Sequence, residues 1–382
     1  MSNYKSFLNY LLVIIFFSFT LLLLIAFINF KIDPTNVYTK YYKSSKIIND
    51  SPDDFVKKLI NSDNGILMKN YVWNERDIYL SLTKYSSESD CIILGSSQIK
   101  QISSLRKNKS LSNTCNTMLN LGMNGAVLED YIVLSQSILA NQKKTKNIII
   151  EINPWTFNFN RDARWLRYKN DFDIALKKII NDKKIKKPID TVKSYETLLI
   201  KNLINIKYFI SSLELINTKK TYSVELAKDF NHELGTTHKV LLPDGSVISS
   251  ATSIKNRKNN NENTFDKKKW EIQNWGIVPE SWYDQFAIEI FVKLVNQLKE
   301  KFNVIFLITP YHPYVWGDEN QPAVKAMKKV ELKTNEIAKV LKIDVIGSFN
   351  PKKVECYGSE FIDQIHATDL CLSKLENVYV YN

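Results

Sequence analysis

Apolar and polar positions divide the chain into regions of different pattern. From Ser6 to Phe30 no charged residue occurs, and Leu11-Leu12-Val13-Ile14-Ile15-Phe16-Phe17 and Leu21-Leu22-Leu23-Leu24-Ile25-Ala26-Phe27 fill most of the run. A bilayer crossing needs ~20 such residues. A signal peptide has a shorter apolar core and a small-residue cleavage site, and neither is evident. Residues 1–30 are therefore expected to be an uncleaved membrane anchor. Residues 31–90 are polar and aromatic, broken by Pro34 and Pro52. They read as a stalk leading into helices near Asp53–Asn61 and Glu75–Lys84.

From Cys91 the pattern becomes α/β. Short apolar runs predict strands at Cys91–Leu94, Thr117–Leu121 and Asn147–Ile152, with helical periodicity over Ala126–Leu139 between the last two. Runs apolar throughout suit parallel strands covered on both faces. The alternation stops after Asn153-Pro154-Trp155. An insertion over about 156–280 follows, with helical stretches at Asp171–Asn181 and Tyr195–Ile216, a turn signature at Leu242-Pro243-Asp244-Gly245-Ser246 and a polar Asn259-Asn260-Asn261 segment. The pattern resumes with a helix at Tyr283–Lys301, a strand at Asn303–Ile308, a helix at Pro322–Leu341 and a strand at Ile343–Ile346. Strands alternating with helices at this spacing predict a doubly wound parallel sheet, so 91–382 is read as one α/β domain carrying the insertion.

Charge and cysteine content narrow the class. The net charge is +12, but the lysines are scattered and form no basic stripe interleaved with aromatics, so no nucleic-acid partner is expected. Lys5 precedes the apolar run while Lys31, Lys40, Lys43 and Lys46 follow it, so flanking charge does not favour an anchor with its amino terminus inside. The four cysteines, Cys91, Cys115, Cys356 and Cys371, form no CxxC pair, which argues against a zinc ribbon. His232 and His238 stand six apart with Gly235 between them, which does not fit the four-residue spacing of a helical zinc motif. No metal and no cofactor is expected.

Two stretches carry candidate chemistry. Gly95-Ser96-Ser97 follows the first strand, and Gln98-Ile99-Lys100-Gln101-Ile102 is suited to begin a helix after a sharp turn at Gly95. A serine there is either a helix N-cap or a group held at the carboxyl edge of the sheet, where such folds bind ligands. Asp363 and His366 stand three apart in a loop near the end of the chain. A carboxylate beside an imidazole fixes its tautomer and stabilises the imidazolium, and such a base is what a serine hydroxyl needs to become a nucleophile.

Gly95-Ser96-Ser97, Asn120-Leu121-Gly122-Met123-Asn124-Gly125 and Phe361-Ile362-Asp363-Gln364-Ile365-His366 occur in the order of the blocks of the SGNH (GDSL-like) hydrolase superfamily, which the chain resembles over about Cys91–Ile152 and Asn303–Lys374. The resemblance implies a flavodoxin-like sheet of order 2-1-3-4-5. It implies Ser97 as nucleophile, Asp363 and His366 as the rest of a triad, and the Gly125 N–H in an oxyanion hole. Two departures stand out. Ser96 replaces the usual aspartate, and the third block, Gly-x-Asn-Asp, is absent. Asn153-Pro154-Trp155 stands in its place, which makes Asn153 an expected oxyanion donor out of the family's register. Tyr311 and His312, in the Pro-bounded loop after the fourth strand, are expected to touch substrate. The implied strand order brings Cys91 near Cys115, while Cys356 and Cys371 flank the Asp363–His366 loop, so both pairs are expected as disulfides.

The likeness is to membrane-anchored, extracytoplasmic members of bacterial envelopes. It implies a serine acyl esterase or O-acyltransferase on the bacterial cytoplasmic membrane, its large C-terminal domain periplasmic or extracellular. The partners would be a cell-envelope or exported polysaccharide and a membrane-bound acyl donor protein. The missing third block leaves a second reading: a non-catalytic polymer-binding or scaffold protein assisting a membrane acyltransferase.

Overall fold

Charge-free runs of β-branched residues lose least by pairing where both faces are covered, and they form the centre of the sheet. The computed structural model describes residues 2–33, 38, 51–68, 74–85, 88–159, 162–180, 200, 203–217, 224–228, 238–250, 283–317 and 320–381. The chain divides into two compact units, one of residues 1–49, 72–74 and 186–223, the other of 50–71, 75–185 and 224–382.

The first unit holds helix α1 (Ser2–Ile32), which is long and apolar enough to cross a membrane. Of the helix expected over Tyr195–Ile216, the described residues contain α6 (Ile206–Asn217), while 195–199 lie outside them. The Asn259-Asn260-Asn261 segment and His232 also lie outside the described residues.

The second unit is mixed α/β. Among the described residues its longer helices are α2 (Pro52–Ile60), α3 (Glu75–Tyr85), α4 (Leu128–Asn141), α5 (Lys169–Ile180), α7 (Gln285–Lys299) and α8 (Pro322–Leu341). Its main sheet comprises β2 (Cys91–Ser96), β3 (Met118–Met123), β4 (Asn147–Glu151), β7 (Asn303–Ile308), β8 (Asp344–Gly347) and β9 (Tyr379–Val380), in the order β3-β2-β4-β7-β8-β9. All neighbours are parallel except the edge strand β9. α4 packs on β2 and α7 on β7; Phe306 of β7 lies 5.6 Å, ring to ring, from Phe291 of α7. Ile93, Ile149 and Ile305 join a second core cluster with Ile102, Leu111, Phe361 and Leu372. The alternation of side chains along each strand separates these two sets.

Three local differences from the sequence reading bear on the site. Gly95 is in β2, opposite Gly122 of β3, rather than at a turn. Its value is space: an added Cβ would meet the Glu151 carboxylate at 2.6 Å. No α-helix follows Ser97. A single 3-10 turn, Ser97–Ile99, ends because other donors take the carbonyls that a helix would pair: Asn120 Nδ2 donates to Ile99 O and Ile102 O, and the Val247 N–H to Lys100 O. Finally, α2 and α3 belong to the α/β unit itself, with Phe55, Val56, Leu59, Ile78, Tyr79 and Leu82 fully covered.

The segment between β4 and β7 contributes a brace. Strands β5 (Val240–Leu241) and β6 (Val247–Ile248) form a hairpin around the predicted turn and pair with β1 (Ile66–Leu67) in a small antiparallel sheet. Gly245 has φ +81° at the tip. The Asn120 N–H of edge strand β3 donates to Asp244 O at 2.7 Å, so the hairpin covers a backbone edge that would otherwise be open.

Both expected disulfides are present, Cys91–Cys115 and Cys356–Cys371. The second closes a loop around Asp363 and His366, with the bridged residues 15 apart in sequence. Alkylation of the denatured, unreduced protein is expected to label none of the four cysteines. A Cys356→Ser/Cys371→Ser variant is expected to lose about 3 kcal/mol of unfolding free energy, read by urea denaturation.

Candidate functional site

The carboxyl ends of β2, β3 and β4 and the loop before the C-terminal helical turn supply the site. The two serines at the end of β2 divide the readings open in the sequence. Ser96 is the cap: its hydroxyl accepts the Gln98 N–H at 3.2 Å and its side chain is buried. Ser97 is partly exposed, and its Oγ lies 2.8 Å from His366 Nε2. His366 Nδ1 lies 2.7 Å from Asp363 Oδ2. A carboxylate only accepts, so Nδ1 carries the proton and Nε2 is left to accept from the Ser97 hydroxyl. Burial pushes the Asp363 carboxyl up. The hydrogen bond and charge of His366, with the N–H groups of Ile365 and His366, outweigh that effect and hold it below the usual carboxylate range.

The loop carrying the imidazole is held on several sides. Phe361 and Ala367 form an antiparallel bridge, the Ile362 N–H donates to His366 O, and the Cys356–Cys371 bond closes the base. Gln98, next to the nucleophile candidate, donates through Nε2 to Ile365 O at 3.0 Å. One side chain therefore ties the serine turn to the histidine loop, an arrangement that fixes the Ser97–His366 separation from both ends.

The Gly125 loop is set by the start of α3. Glu75 accepts the Asn124 N–H at 2.8 Å and the Asn124 amide at 2.9 Å, and it pairs with Lys100 at 2.6 Å. Burial pushes the Glu75 carboxyl up, but Lys100 and the Asn124 N–H bring it below its ordinary value. Arg76 makes a buried bidentate pair with Asp130, 2.8 Å at each contact, and reaches Gly125 O at 3.4 Å. Asp130 in turn accepts the Val127 N–H at the start of α4. Gly125 has φ +56°, a left-handed conformation that glycine adopts without strain, and an added Cβ would also crowd Arg164 Nη2 at 2.1 Å. Among the described residues no protein acceptor takes the Gly125 N–H. The Ser97 N–H opens the 3-10 turn, a position without an intrahelical acceptor.

Ser97 and Gly125 border one cleft of about 440 Å³, with Asn124, Trp155, Arg164 and Tyr311 also lining it. Trp155 Nε1 donates to Ala126 O at 2.9 Å. Arg164 docks its Nε and Nη2 edge on Asp162. The cleft is thus lined by an aromatic side chain and the Asp162–Arg164 ion pair beside a serine bonded to an imidazole.

Three expected site residues are placed differently from one another. Asn153 is fully buried beneath the serine turn. Its Nδ2 hydrogens go to Tyr131 OH at 3.3 Å and Glu151 Oε2 at 3.0 Å, and its Oδ1 accepts from Ser96 Oγ at 3.3 Å. That side chain is taken up inside the protein rather than offered to an oxyanion. Tyr311 borders the cleft but is buried, its ring 5.8 Å from Phe349. His312 is away from the cleft lining: Nδ1 accepts the Tyr314 N–H at 3.1 Å and the ring packs 5.3 Å from Phe361. A rigid, Pro-bounded loop under the histidine loop accounts for both positions.

Glu151, at the end of β4, was not singled out by the sequence reading. Its carboxyl is fully buried and receives the Ser96 N–H, Asn153 Nδ2 and Thr309 Oγ1. Burial raises it above the ordinary value against the pull of those donors. A signal was available: a charge directly after Ile148-Ile149-Ile150 sits where a central strand has no water. Glu75 and Arg76 lie on an ordinary amphipathic helix and gave no such signal. Among the described residues, Cys356, Glu360 and Cys371 alone bring three metal-type ligands together, and both sulfurs are in the disulfide.

A raised carboxyl makes a stability contribution that is present below the unfolded-state carboxylate range and fades as pH rises through the folded-state value. Glu151→Gln keeps the shape, with its amide NH₂ turned to the Thr309 hydroxyl. Urea denaturation across a pH series is expected to show a weaker loss of stability with rising pH in the variant than in the natural protein.

No family model matches the chain, and no curated protein matches it in sequence.

Proposed function

We propose that the protein is an SGNH-type serine acyl esterase or O-acyltransferase that acts on a cell-envelope or exported polysaccharide. The observation that carries this reading is the hydrogen-bonded series Ser97–His366–Asp363, assembled across a sequence separation of 269 residues at the mouth of a cleft. The five parallel strands, β3-β2-β4-β7-β8, follow the 2-1-3-4-5 order of that superfamily, which adds support.

In this reading the substrate ester carbonyl lies in the cleft. His366 Nε2 takes the Ser97 proton as Oγ attacks, and the charge formed on the carbonyl oxygen is met by the Ser97 and Gly125 N–H groups. Collapse releases the alcohol, protonated by His366, and leaves an acyl-serine. His366 then deprotonates water or a sugar hydroxyl, which takes the acyl group and restores Ser97. Asp363 holds the imidazole in the required tautomer and stabilises its cationic form. Hydrolysis and transfer differ only in which hydroxyl enters. Trp155 and the Asp162–Arg164 pair suit a sugar, with an apolar face to stack and paired polar groups for vicinal hydroxyls.

Two disulfides fit an oxidising compartment. With the apolar α1, they support an extracytoplasmic catalytic domain tethered to the bacterial cytoplasmic membrane, where a membrane-bound acyl donor protein is the natural partner. The second reading, a polymer-binding scaffold without turnover, is favoured by one observation: the Asn153 amide is engaged elsewhere and supplies no further oxyanion donor.

A fluorophosphonate probe is expected to label Ser97, and p-nitrophenyl acetate to be cleaved. Ser97→Ala is expected to abolish both, and Asp363→Asn to lower kcat by on the order of 10⁴ while leaving the fold intact. Labelling that persists in Ser97→Ala would reject the nucleophile assignment. A folded protein that retains glycan but neither labels nor turns over would favour the scaffold.

A further inference from the structure

Helix α6 leaves an apolar face exposed. Ile206, Ile210, Leu213 and Ile216 are 66%, 50%, 38% and 47% exposed, and Ile200 and Ile204 just before it are exposed too. At about 100° per residue the four fall within about a third of the helix circumference. Soluble amphipathic helices bury such a stripe, and a contiguous exposed one marks an interaction site.

The polar flank of the same helix is fastened to the end of α1. Buried Asn29 donates through Nδ2 to Leu203 O at 2.8 Å and to Asn205 O at 3.2 Å, and its Oδ1 accepts from Ser212 Oγ at 3.2 Å. Tyr208 OH donates to Asp33 Oδ1 at 2.6 Å, and the Tyr38 ring lies 6.3 Å from Tyr208. Along Leu11–Leu24, by contrast, the large apolar residues of α1 are exposed throughout.

The position of that junction identifies the occupant. The candidate span in α1 runs over 27 residues, Ser6–Ile32, about 40 Å at a rise of 1.5 Å per residue, enough to cross a hydrocarbon core of ~30 Å. Lys31 and Asp33 are the first charged residues after the charge-free run, and α6 is fastened to Asn29 and Asp33 beside them, which puts the junction at the polar end of the span. A helix held there by its polar flank presents its isoleucines to the acyl boundary. Its sequence from Ile206 to Asn217 includes only Lys207 and Glu214 as charged residues.

We propose that α6 is an interfacial helix, seated with Ile206, Ile210, Leu213 and Ile216 in the outer acyl layer of the phospholipid bilayer that α1 crosses. The inference rests on the membrane-spanning reading of α1. The pairing of Asn29 with Ser212 and the carbonyls of Leu203 and Asn205 satisfies a polar group near the membrane, where an unpaired one is costly. The exposed stripe meets lipid instead of water, which removes the conflict between its composition and its exposure.

The test uses the full chain reconstituted in phosphatidylcholine/phosphatidylglycerol vesicles that contain a diazirine-bearing phosphatidylcholine. After photolysis, lipid adducts are mapped by peptide mass spectrometry. Adducts are expected within both α1 and α6. An Ile210→Asp/Leu213→Asp variant, with both disulfides formed and an unchanged melting temperature, is expected to lose at least tenfold of the α6 adducts while the α1 adducts remain. Adducts on α1 with none on α6 would overturn the proposal and leave the membrane span standing. Absence from both would remove the span and the proposal together. Cross-links between copies through α6 in place of lipid adducts would assign the face to a second copy.

Discussion

A carboxyl group buried under the serine turn sets much of the arrangement around it. Glu151 ends a central strand with no water within reach, so its oxygens need donors from the protein. The Ser96 N–H, the Asn153 amide and the Thr309 hydroxyl supply them. Meeting that need fixes the backbone just before Ser97, requires a residue without a side chain at Gly95, and turns Asn153 inward. The Asn153 amide, expected from the sequence at an oxyanion, is thus engaged in supporting the serine turn.

The remaining parts of the site are loops, and each is braced by an element outside it. Asn120 on β3 holds the turn after Ser97 through two carbonyls, with the β5–β6 hairpin behind it. Glu75 and Arg76, adjacent at the start of α3, hold opposite ends of the Asn124–Gly125 peptide. A disulfide, a β-bridge and Gln98 hold the histidine loop. In the proposed chemistry the barrier falls only if donors are already aimed when charge develops. Burying the braces meets that requirement at the expense of several charged groups removed from water, the Arg76–Asp130 pair foremost. Such a pair is costly to break by removing one partner, because the other is left charged and buried.

The two units meet different solvents in the proposed reading. The α/β unit hides its apolar residues in the conventional way. The first unit displays them along α1 and α6 and buries Asn29 and Ser212 instead. That inversion is what a lipid environment selects, since apolar surface is not penalised there and an unpaired polar group is.

The sequence by itself determined the elements whose physics is local. Continuous apolar runs located the strands at 91–94, 147–152 and 303–308 to within a few residues, and the charge-free stretch at 6–30 located α1. Short motifs drew attention to Ser97, Asp363 and His366. Tertiary structure decided what those residues do to one another. Ser96 and Ser97 are chemically identical and adjacent, and the positions of the Gln98 N–H and of His366 show which is the cap and which the partly exposed hydroxyl. Gly95 read as a turn and proved to be a strand glycine facing a carboxylate from β4. His312 read as a contact for substrate and lies under the histidine loop instead. Periodicity records which face of a segment is covered. The partner of a buried polar group is supplied by residues tens or hundreds of positions away, and no local pattern carries that information.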